Sequence, residues 1–268
     1  MHFLKRHIIL TFLTILATLV PTMVHAAVSI YPYALDLDAN SNKRIVSIRI
    51  ANTSEESKTI RISLIDQLQK QDGSFDLLPA EEVAPKSAKA FMTFSPHQFE
   101  LGPKEAQKVN VSRKPLGDLP DGDYVTHLKI QEVSTPKPAE EKKKDPKGME
   151  VNVTLLYSLV VPIYLKKGET AGKADLVSAK LIRNAKQEQE VSVKLNKEGE
   201  KYFRGKLEVI SEGKTVGIIK NIRIYPNVAE RTASIPLDKD APNLSGKEVQ
   251  VRYVDEADKV ISEGSYKL

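Results

Sequence analysis

From residue 28 to the C-terminus the chain is written in short runs that alternate apolar with polar residues and stop at turn residues. A period of two puts one set of side chains in a core and the other in solvent, which is the signature of half-buried strands. In residues 44–50, Val46, Ile48 and Ile50 fall out of phase with Ser47 and Arg49, and residues 58–64 repeat the pattern. Pro32 interrupts the first alternation (Val28, Ile30, then Leu35, Leu37), which predicts an edge strand or one that switches sheets. Asp72-Gly73 reads as a tight hairpin turn. Helical periodicity is absent beyond one short turn within residues 80–90.

Further along, Leu119-Pro120-Asp121-Gly122 leads into a strand with Tyr124, Thr126, Leu128 and Ile130 on one face. A tyrosine just after such a turn predicts the tyrosine corner of immunoglobulin-like sandwiches, in which the hydroxyl bonds back to the main chain. Residues 134–148 hold three prolines and no apolar residue larger than alanine, so they cannot repay the entropy of ordering and predict a mobile loop. Met149, Val151, Val153, Leu155, Tyr157, Leu159 and Val161 then share one face, and from Leu156 onward both faces turn apolar. Glycine and lysine cluster at 167–173, where a domain boundary is expected. Beyond it, about seven short runs at sandwich spacing predict a second all-β domain. The expected organisation is all-β, two immunoglobulin-like sandwiches in tandem over residues 27–168 and 169–268.

Residues 1–26 combine Lys5, Arg6 and His7, an apolar run at 8–20, Pro21 and the small-residue exit Val24-His25-Ala26. That is the form of a cleaved signal peptide, and the apolar run is short of the ~20 residues needed to span a bilayer. The expected location is therefore outside the cytoplasm. Cysteine is absent, which removes disulfides, thiolate nucleophiles and cysteine-based zinc sites. The formal charge of +5 falls to +3 without Lys5 and Arg6 (5 − 2 = 3), and mixed charge along the chain gives no case for nucleic acid. No catalytic motif appears, and His97 and His127 are the histidines left after the leader. Asp36 with Asp38, or Asp121 with Asp123, pair carboxylates on a strand face but lack a full calcium ligand set. No enzyme, cofactor or metal is expected.

Phe94-Ser95-Pro96, Phe99-Glu100-Leu101-Gly102-Pro103, Gln107-Lys108-Val109-Asn110-Val111 and Leu119-Pro120 before a strand resemble, in order, the amino-terminal domain of periplasmic pilus chaperones of the chaperone–usher pathway. The resemblance covers residues 28–168; the second domain resembles the family in fold class only. It implies a protein that lends a strand to a pilus or fimbrial subunit whose own sandwich lacks one, the apolar residues filling a groove while the main chain pairs with an open edge. By position, Met149, Val151, Val153, Leu155 and Tyr157 would fill the groove. The family anchors a client carboxylate with an arginine on the first strand and a lysine on the lending strand. This chain departs there: Tyr33-Ala34 stands where the arginine should fall, and residues 149–165 hold no basic residue. Lys166 and Lys167 are left as the anchor. An outer-membrane usher is a second implied partner, and self-capping as a dimer would cover an idle lending strand. The alternative is an extracytoplasmic immunoglobulin-like binding or scaffold protein with no strand donation.

Overall fold

The computed structural model describes residues 28–79, 81–133 and 157–268. The expected signal peptide, the loop 134–148, and Met149, Val151, Val153 and Leu155 lie outside the described residues.

The first part of the chain forms β1 (Val28–Tyr31), β2 (Leu35–Asp38), β3 (Ile45–Asn52), β4 (Lys58–Ile65), β5 (Gln67–Gln69), β6 (Phe75–Leu77), β7 (Met92–Ser95), β8 (Gln98–Leu101), β9 (Ala106–Arg113), β10 (Gly122–Val133) and β11 (Ser158–Lys167). They build a sheet in the order β1-β3-β9-β7 facing a sheet in the order β2-β11-β10-β4-β8. The alternation dictates the core. Val46, Ile48, Ile50, Val109 and Val111 from one sheet meet Ile60, Ile62, Leu128, Ile130, Val161 and Ile163 from the other. The edges of both sheets come from strands that change sheet at a proline. β1 gives way to β2 across Pro32, and β7 to β8 across Pro96. Proline offers no N–H to a ladder, so an edge where the chain leaves one sheet for the other is where it fits.

The tyrosine corner is formed. The Tyr124 hydroxyl donates to the Pro120 carbonyl at 2.8 Å, with the ring buried. Tyr124→Phe keeps the ring and removes that bond, so a loss of about 1 kcal/mol is expected from urea unfolding. No change in midpoint would show that the bond contributes nothing. After β11, Gly168 adopts φ of 65°, the left-handed region that favours glycine, where the chain turns onward beside the Asp121 carboxylate.

The second part forms β12 (Gly172–Arg183), β13 (Gln189–Gly199), β14 (Phe203–Ser211), β15 (Lys214–Ile224), β16 (Glu230–Pro236), β17 (Glu248–Asp255) and β18 (Val260–Lys267). The sheet β12-β13-β16 faces the sheet β15-β14-β17-β18, again a sandwich. β12 begins at Gly172, at the end of the expected linker, and its apolar residues change phase because Val177 is an extra residue between the pairs Leu176–Leu195 and Ser178–Lys194. The apolar runs around Ile218 and Ile224 belong to one strand, β15. An irregularity around Asn221, at φ 60°, inserts a residue against β14 without ending the ladder.

The two sandwiches share a packed junction. The β5–β6 hairpin leaves the first sandwich, and its side chains reach the second. Gln69 Nε2 donates to the Arg223 carbonyl at 3.1 Å, and its Oε1 accepts the Tyr225 N–H at 2.9 Å. The Thr232 N–H donates to the Gln71 carbonyl at 2.7 Å, which gives β16 a partner on its outer side.

Candidate functional site

β11 is held unevenly. It pairs antiparallel with β10 along its whole length, but with β2, in parallel, only over Ile163 to Lys166. Among the described residues, Ser158 to Pro162 therefore have a strand on one side and none on the other. The cause is local: β2 cannot extend backward along β11, because Pro32 takes the chain to the opposite sheet.

The faces of β11 change along its length. Leu165, Ile163 and Val161 are fully buried in the first core, Leu159 is partly buried against it, and Tyr157 is 47% exposed. Among the described residues, the core is closed opposite this point by Glu132, whose carboxylate pairs with Lys58 at 2.8 Å. The Glu132 N–H still donates to the Tyr157 carbonyl at 3.0 Å, so the pairing outlasts the core. The apolar face that holds this sandwich together thus runs past its end. On the other face Val160 is 37% exposed, whereas Pro162 and Tyr164 are buried. Tyr164 stacks on Tyr202 of the second sandwich with ring centroids 4.2 Å apart. That contact explains why both faces of the sequence turn apolar there.

At the far end of β11 lies a cleft of about 500 Å³ between the sandwiches, lined among others by Asp36, Asp123, Lys166, Lys201, Tyr202 and Arg204. Lys166 stands in register between Asp123 on β10 and Asp38 on β2. Asp123 Oδ2 accepts the Tyr202 N–H at 2.7 Å, and burial pushes its carboxyl above the ordinary range despite that bond and the nearby Lys166. Arg204 pairs with Glu256 at 2.6 Å and with Asp36 at 3.5 Å. Lys167 points elsewhere: its Nζ donates to the carbonyls of Gly117 and Leu119 and ties that turn to β11. The structure therefore brings Lys166 into the cleft and gives Lys167 a different job. Asp36 and Asp123 line the cleft as well, beside cations rather than as a carboxylate pair. Among the described residues, no group of three or more acidic or histidine side chains is placed to hold a metal. Tyr202 and Arg204 were not singled out by sequence, because each gains its role from strands more than 30 residues away.

No family model and no curated protein sequence matches the chain. Solved structures with a similar course include a chaperone–tip adhesin complex of CFA/I fimbriae biogenesis, at 14% identity and TM-score 0.48, covering 90% of this chain and 98% of that one. The CupB2 chaperone of Pseudomonas aeruginosa follows at 13% identity and TM-score 0.47, covering 90% and 100%. The CsuC–CsuE chaperone–tip adhesion subunit complex of Acinetobacter baumannii has 13% identity and TM-score 0.45, covering 90% and 98%. The likeness to each of these chaperones lies in the course of the chain.

Proposed function

We propose that the chain is an exported, periplasmic chaperone that binds a β-rich client, in the first place a pilus subunit, by lending it the strand that leads into β11. The observation that carries this reading is the apolar face of β11. It leaves its own core at Tyr157, beside an edge at Ser158 to Pro162 that has no second strand among the described residues. In the sequence, that face continues backward as Leu155, Val153, Val151 and Met149. An alternating apolar strand with a free edge suits a sandwich that lacks one strand: side chains fill the groove and main-chain groups complete the sheet. Lys166, in the cleft at the other end of the same strand, supplies a cation for a client carboxylate and would fix the register of pairing.

The test is co-expression in the periplasm with a subunit that lacks its last strand, followed by size-exclusion chromatography. A stoichiometric complex, with the subunit aggregated or degraded when expressed alone, is the expected result. If the subunit behaves identically with and without the chain, the scaffold reading replaces the chaperone reading.

A further inference from the structure

The junction between the sandwiches contains a buried titratable group that the strand-lending reading leaves unused. His127 lies on β10, on the face turned away from the first core, and is 2% exposed. Its Nε2 stands 3.3 Å from the Tyr225 hydroxyl, which also accepts a hydrogen bond from the Tyr164 hydroxyl at 3.4 Å. Its ring lies nearly parallel to that of Tyr225, at 5.8 Å and 21° between planes, and meets the edge of Phe75 at 6.1 Å. Phe75 in turn contacts Tyr225 at 5.2 Å. Nδ1 is buried with no hydrogen-bond partner among the described residues. One imidazole is therefore clamped between a hairpin of the first sandwich and the end of a strand of the second.

We propose that His127 is the acid-sensitive pin of a latch between the two domains, which holds them docked while the imidazole is neutral and releases them when it gains a proton.

The argument is one of partners. A neutral ring uses Nε2 to accept from the Tyr225 hydroxyl and leaves one buried N–H unpaired, a cost the docked state already bears. A protonated ring donates from both nitrogens. The Tyr225 hydroxyl then loses its acceptor, and the new charge is shut off from solvent by burial. The charged and titratable groups facing the ring are few. Asp66, between β4 and β5, favours the cation, as does the Ile65 carbonyl; Arg223 on β15 opposes it. Asp66 is committed, its oxygens accepting from the Thr126 hydroxyl at 2.8 Å and the Ala84 N–H at 3.2 Å. Burial keeps the hydroxyls of Tyr164 and Tyr225 un-ionised by pushing both well above the phenol range. Phe75 and Gln69, from β6 and β5, carry no charge. Burial holds the imidazole at about 4, below its ordinary value of 6.5.

The sign follows from linkage. The separated state takes up a proton near pH 6.5 and the docked state only near pH 4, so docking is full above 6.5 and weakens as the pH falls through that window. Each step of one pH below 6.5 lowers the docked-to-separated ratio by up to tenfold, on the order of 10²-fold in all.

The chain has no cysteine, so one label can be placed on each domain by Lys108→Cys and Lys186→Cys, both exposed positions. Energy transfer between dyes is then followed from pH 7.5 to 3.5, with circular dichroism as a check that the strands persist. The latch predicts a fall in transfer between pH 6 and 4 in the parent and none in His127→Phe over the same range. His127→Gln, which keeps a hydrogen-bonding partner for Tyr225 and cannot charge, serves if the phenylalanine does not fold. Constant transfer in the parent, or an equal fall in parent and variant, overturns the proposal. The second outcome would place the acid response in the carboxylates instead.

Discussion

Aspartate at both Val151 and Val153 is expected to lower client capture by at least a hundredfold while the chain's own unfolding midpoint moves by less than about 1 °C. The two halves of that expectation have separate causes. Among the described residues the first core reaches Leu159 and the Lys58–Glu132 pair, and on the strand-lending reading the residues before Tyr157 are not needed to complete it. In a client groove the same positions would be desolvated, and burying an unpaired carboxylate costs several kcal/mol. Tenfold in affinity is about 1.4 kcal/mol, so two such penalties exceed a hundredfold comfortably. Capture is read as co-purification with a tagged chain, and stability by circular dichroism. If the double variant unfolds early, those valines belong to the chain's own core and the lending role is lost. If it folds and captures as before, the client sits elsewhere.

Gln69→Ala is expected to cost about 2–4 kcal/mol of docking between the sandwiches. Gln69 is only 6% exposed, and its amide completes both the Arg223 carbonyl and the Tyr225 N–H. Truncation leaves one buried and one part-buried main-chain group without that partner, each worth roughly 1–3 kcal/mol. Gln71 is the internal control. It holds Thr232 through its own carbonyl, and its side chain makes one exposed contact to Glu230 at 3.4 Å. Gln71→Ala should therefore change stability by less than about 0.5 kcal/mol. Calorimetry separates the two: a single transition for the parent and for Gln71→Ala, two transitions for Gln69→Ala as the domains uncouple. Equal effects of both substitutions would mean that the hairpin contributes only surface contacts.

The fold was legible wherever a strand's partners impose one phase. Val46, Ile48 and Ile50, or Val191, Val193 and Leu195, alternate without interruption and are all buried. Tyr124 announced its corner because the Pro120-Asp121-Gly122 turn precedes it locally. Pro32 announced a change of sheet for an equally local reason. β12 was hidden because the bulge at Val177 flips its phase. The junction was harder still. Gln69, His127, Tyr164 and Tyr202 carry nothing in their neighbouring residues to say that they meet, since the hairpin and β15 are about 150 residues apart. The apolar outer face at Tyr164 was visible in the sequence, but its reason, a second sandwich packed against it, was not. In the candidate site, the alternation from Met149 to Val161 could be read directly. Of the two lysines at the strand's end, geometry separates Lys166, in the cleft, from Lys167, bound to Gly117 and Leu119.

The most direct test of strand lending is amide hydrogen exchange across residues 149–162, in the chain alone and in complex with a captured subunit. The account predicts that amides from 149 to 157 slow by at least tenfold in the complex, because lending the strand would place them in a ladder with the client. Unchanged exchange in that segment, with new protection confined to the cleft around Asp36 and Arg204, would contradict it.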